Sequence, residues 1–61
     1  MMVLTKEIDS TSKYWTGEFT ESGNPMVTTK LEKAKQFKTR AEGYAIAGNH
    51  KCLDWWRVVK H

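Results

Sequence analysis

A chain of 61 residues with a net charge of +3 and one cysteine has room for a single core, and a domain of that size buries only about 60% of the surface its unfolded form exposes. Enclosing a substrate pocket of roughly 300 Å3 is difficult on that scale, so an enzyme is not expected. The lone Cys52 excludes an intramolecular disulfide framework, no run approaches the roughly 18 apolar residues of a membrane span, and the apolar stretch in Met1–Asp9 is too short for a secretion signal; the expected setting is a reducing cytoplasm, with no membrane partner.

Residues 1–12 carry a weak alternation, Met2, Leu4, Lys6 and Ile8, followed by the polar cluster Asp9-Ser10-Thr11-Ser12. They read as a flexible N-terminal arm or an extra edge strand, ahead of a single mini-domain over residues 13–61. Lys13 to Thr20 is rich in aromatic and β-branched residues and reads as a strand, with Trp15, Gly17 and Phe19 on one face. Gly17 leaves a gap between the two aromatics or marks a bulge. Glu21-Ser22-Gly23-Asn24-Pro25 is a turn signal and Met26-Val27-Thr28 a short returning strand, which together predict a hairpin.

Two helix-start signatures follow. Thr29-Lys30-Leu31-Glu32 and Thr39-Arg40-Ala41-Glu42 both fit the capping box, in which the threonine oxygen accepts an orphan backbone N–H and the glutamate reaches back to another. The first predicts a short helix or helical turn with Leu31, Ala34 and Phe37 turned inward. The second predicts the main helix, with Ala41, Tyr44, Ala45 and Gly48 as its apolar stripe, Ile46 off that stripe, and Gly48-Asn49 as the stop. After the loop His50 to Asp54, the segment Trp55 to Lys60 is the last strand. The expected fold class is α+β, in the order strand, strand, short helix, helix, strand (ββαβ-like), with the helix on one face of a three-stranded antiparallel sheet and the other face largely open.

Neighbouring residues of a strand point to opposite faces, so Trp55 and Trp56 cannot both enter one core from one face. One of them is expected to meet a partner or water; which one is not fixed by the pattern.

Catalytic and metal chemistry find little support. His50, Cys52 and Asp54 alternate, but paired ligands at structural-zinc spacing are missing, so no metal or cofactor is expected. Cys52 reads instead as a small half-buried apolar residue. The four glycines form no phosphate-cradling loop. The basic run from Lys30 to Arg40 holds Lys30, Lys33, Lys35, Lys38 and Arg40 against Glu32; it suits a solvated helix face, a phosphate backbone or an acidic protein surface.

Two binding readings remain. Aromatic residues on strands beside cations could stack single-stranded nucleic acid. An exposed tryptophan or tyrosine next to Arg57 instead matches the residue types enriched at protein interfaces, self-association into a homodimer included. Edge strands could also recruit a partner by strand addition. The candidate contact residues are Tyr14, Lys33, Lys35, Lys38, Trp55 and Arg57.

The segments Lys13-Tyr14-Trp15-Thr16-Gly17-Glu18-Phe19, Ala34-Lys35-Gln36-Phe37-Lys38-Thr39-Arg40-Ala41-Glu42 and Trp55-Trp56-Arg57-Val58-Val59 together resemble the short accessory proteins of temperate bacteriophages and prophages. In these, a hairpin leads through an A-x-x-F-x-T-x-x-E-A-like element to a helix and a final strand. Gly43 stands where that element carries a helix-forming residue. The resemblance implies a non-enzymatic protein that binds and modulates a host protein in the bacterial cytoplasm, and it implies no catalytic residue.

Overall fold

The strand β1 (Met2–Ile8) lies inside the sheet, between β2 (Thr11–Phe19) and β4 (Arg57–Lys60), with β3 (Pro25–Thr28) outside β2. All pairings are antiparallel and the order is β3-β2-β1-β4 in this computed structural model, which describes all 61 residues. The fold is α+β with one helix on the sheet, as the sequence predicts. Residues 1–12, however, form neither a flexible arm nor an edge strand, and the sheet has four strands rather than three. The reason lies in how β1 is buried. Leu4 enters the main core on the helix side, while Val3 and Thr5 are buried on the opposite side, where Thr5 Oγ1 donates to the Lys13 carbonyl at 2.9 Å. A strand buried on both faces loses the clean apolar–polar alternation that identifies half-buried strands.

β1 and β2 join through Asp9 and Ser10 alone, with Ile8 opposite Thr11. Both turn residues have positive φ, 53° and 64°, as a tight two-residue hairpin turn requires. The β2–β3 turn matches expectation. The Gly23 N–H donates to the Thr20 carbonyl (2.9 Å), and Thr20 Oγ1 accepts from the Asn24 N–H (3.2 Å).

Between the pairs Trp15–Val27 and Phe19–Pro25, β2 advances four residues against two on β3, so β2 bulges. Gly17, at φ +99°, absorbs the distortion, and a Cβ there would meet the Lys35 side chain at 3.3 Å. An even number of extra residues keeps Trp15 and Phe19 on one face. Their rings sit 5.4 Å apart in the core, and the Trp15 indole N–H donates to the Glu18 carbonyl at 2.8 Å.

The 29–39 connection is less helical than the first capping signature predicts. Only Leu31–Lys33 turns, as a single 3-10 turn without a side-chain cap; the Lys30 N–H goes instead to Thr28 Oγ1 at 3.0 Å. The chain then extends. Lys35 N–H donates to the Trp15 carbonyl of β2, and Phe37 exchanges two backbone hydrogen bonds with Met2 of β1, at 2.7 and 2.8 Å. Ala34 and Phe37 are buried and Leu31 half-buried, as anticipated, and the Phe37 ring lies 19° from parallel with Trp15 at 6.4 Å.

The second capping signature forms fully and opens α1 (Arg40–Gly48). Glu42 N–H donates to Thr39 Oγ1 at 3.2 Å, and Glu42 Oε2 accepts from the Lys38 N–H at 3.3 Å. The buried face of α1 is nevertheless not Ala41, Tyr44, Ala45 and Gly48, all of which are exposed; it is Gly43 and Ala47, with Ile46 half-buried. Close approach decides this, because a Cβ on Gly43 would stand 2.8 Å from Val58 Cγ2 on β4. The Arg40 guanidinium then reaches β4 and donates to the Val58 carbonyl.

The core is Leu4, Trp15, Phe37, Ala47, Leu53, Trp56 and Val58. The last strand starts at Arg57 rather than Trp55, after a 3-10 turn over Lys51–Leu53 that places Leu53 fully inside. The sheet face away from α1 is also less open than expected: Val3 and Thr5 are buried there, and their cross-strand partners Val59 and Tyr14 are half-buried.

Candidate interaction surface

Trp56 is buried and Trp55 is 83% exposed, which resolves the pair. The division does not come from strand pleating, since neither residue lies in β4; it comes from the turn that precedes it. Trp55 sits in a frame of short backbone hydrogen bonds: Leu53 N–H to the His50 carbonyl (2.9 Å), Asp54 N–H to the Lys51 carbonyl (3.1 Å) and Trp56 N–H to the Leu53 carbonyl (3.1 Å). The buried side chains of Leu53 and Trp56 fix the chain on both sides of it. A large apolar ring in water on a pinned backbone is the most conspicuous feature of the surface.

Tyr14 and Arg57 share the sheet face away from α1. The register sets Thr28 opposite Tyr14, Tyr14 opposite Thr5, and Thr5 opposite Arg57, so these four residues form one row across all four strands. At about 4.8 Å between strands, Tyr14 and Arg57 stand roughly 10 Å apart along that row. Tyr14 is half-buried and Arg57 exposed.

Lys33, Lys35 and Lys38 are exposed, but they occupy the connection before α1 rather than a helix face. Lys35 is tied to Trp15, and Phe37, next to Lys38, pairs with Met2, whose other partner is Lys60 at the far end of β4 from Arg57. The basic run and Trp55 therefore belong to opposite ends of β4 and do not form one aromatic–basic surface. Arg40 leaves the free cations altogether through its bond to Val58.

Tyr44 escapes the sequence reading. It is 49% exposed, yet its spacing placed it among the buried residues of α1. Only the close approach at Gly43 separates the two faces of that helix, and periodicity carries no trace of it. His50 packs its ring 4.7 Å from Phe19, and Cys52 is exposed rather than half-buried. The surface has no cavity, and no helix is long and apolar enough to cross a membrane.

These features define a small α+β domain with a convex surface and one projecting indole. No protein-family profile, curated protein or solved structure matches the chain, so its function is argued from this geometry.

Proposed function

We propose that the protein is a non-enzymatic binding module that engages another protein through Trp55, with Arg57 beside it. The observation that carries this reading is the 83% exposure of Trp55 in a chain that buries its other two tryptophans. Tryptophan and arginine are the residue types most enriched at interface hot spots, and a 61-residue domain gains core stability from each large ring it buries. Leaving one ring outside on a rigid turn forgoes that gain. The likeness to phage accessory proteins makes a bacterial host protein in the cytoplasm the partner of choice.

A second reading, binding of single-stranded nucleic acid, draws on the row that aligns Tyr14 with Arg57. It has fewer stacking rings at its disposal than the sequence suggests, because Trp15 and Trp56 are in the core. Capture from a bacterial lysate by the tagged protein, with and without nuclease, separates the two. A stoichiometric protein retained after nuclease supports the first reading, and recovery that vanishes with nuclease supports the second.

A further inference from the structure

We infer that Trp55 is an apolar knob for a pocket on a folded protein partner, and that charge contributes little to the interface around it; this rests on the protein-binding reading above. Three features lead there. The surface of this chain has no cavity, so any interlocking contact takes the form of a projection from this side and a recess on the other. The projection is already ordered: Leu53 and Trp56 are buried on either side of Trp55, and three backbone hydrogen bonds hold the turn. An anchor of that kind loses little conformational freedom on binding.

The third feature is electrostatic. Lys51 and Arg57 flank Trp55, but so does Asp54, and the register that sets Thr5 opposite Arg57 carries Glu7 to the level of Trp55. Two cations and two carboxylates leave the surroundings of the indole balanced. A stacking site for nucleic acid needs an excess of cations along the backbone path, and an acidic peptide needs the same. A neutral ring of polar residues around a protruding indole is instead the arrangement of a hot spot, with an apolar centre and a polar rim. One tryptophan supplies about 150–250 Å2 of the roughly 800 Å2 per partner that a stable interface buries. The rim residues Cys52, Asp54 and Arg57, all exposed, are expected to make up part of the remainder.

The test uses the full chain in a nuclease-treated bacterial lysate, with a photo-crosslinking phenylalanine analogue at position 55 in one sample and at position 38 in another. Adducts are expected at position 55 and not at 38, and should map to apolar residues lining a recess of the captured protein. Capture by the parent should change less than about twofold between roughly 50 and 200 mM salt, a range over which a phosphate-tracking surface loses orders of magnitude. Trp55→Phe should retain part of the binding that Trp55→Ala loses. If capture depends on Trp55 but falls steeply with salt, or if the adducts map to an acidic, flat surface, the knob is overturned while protein binding stands. If Trp55→Ala captures the same protein as the parent, or if nothing is captured after nuclease, both fail.

Discussion

Gly43 packs against Val58 with no room for a methyl group, since the nearest Val58 carbon would lie 2.8 Å from its Cβ. Overpacking of this kind typically costs about 1–3 kcal/mol, which outweighs the gain of up to about 1 kcal/mol that alanine offers over glycine within a helix. Gly43→Ala should therefore lower the denaturation midpoint, and adding Val58→Ala should recover part of the loss; a more stable single variant would show that the helix does not approach β4 as described. The tryptophans give the complementary contrast. Trp56→Ala removes a core ring and should cost about 3–5 kcal/mol, enough to unfold most of a small domain, whereas Trp55→Ala should leave stability within about 0.5 kcal/mol of the parent. Urea melts of both variants check this.

At the scale of elements, the β1–β2 turn is built from two residues that disfavour its backbone. Asp9 and Ser10 both adopt positive φ, where an asparagine followed by a glycine is the favoured pair. The double substitution Asp9→Asn with Ser10→Gly should raise stability by about 1 kcal/mol, read as an upward shift in melting temperature. Unchanged or lower stability would mean that the native side chains make compensating contacts. The β2–β3 hairpin, the Thr39 cap and the inward Ala34 and Phe37 were legible in the sequence because local chemistry determines them: turn residues, a capping pair and large apolar side chains. The buried face of α1 was not, because Gly43 contributes by lacking a side chain, and an apolar count favours Tyr44 instead. Thr29 offered the same capping pattern as Thr39 but formed no cap. Lys35 and Phe37 are drawn into extended pairing with β2 and β1, and that tertiary contact overrides the local signal.

For the whole molecule, the decisive fact is that β1 lies in the middle of the sheet and pairs with β4, more than fifty residues later in the sequence. No local pattern announces a pairing of that separation, which is why residues 1–12 read as an arm. Because β1 is bonded on both sides, its amides should exchange with solvent no faster than global unfolding allows, and removal of residues 1–8 should abolish folding. A truncated chain that still melts cooperatively would contradict the topology. The two outer strands are blunted: β3 is four residues long and starts at Pro25, and the Val58 carbonyl on β4 is taken by Arg40. Such edges disfavour strand addition, which leaves Trp55 as the prominent feature for recognition; the candidate site was legible in the sequence as a tryptophan pair, and the turn from Lys51 to Trp56 determined which member faces outward.

The most direct measurement compares parent and Trp55→Ala for affinity toward the captured partner, each first shown to be folded by near-ultraviolet circular dichroism. A folded variant that has lost about 2 kcal/mol or more of binding free energy, some thirtyfold in affinity, is the predicted result for a hot-spot residue. A folded variant that binds as the parent does would contradict the account.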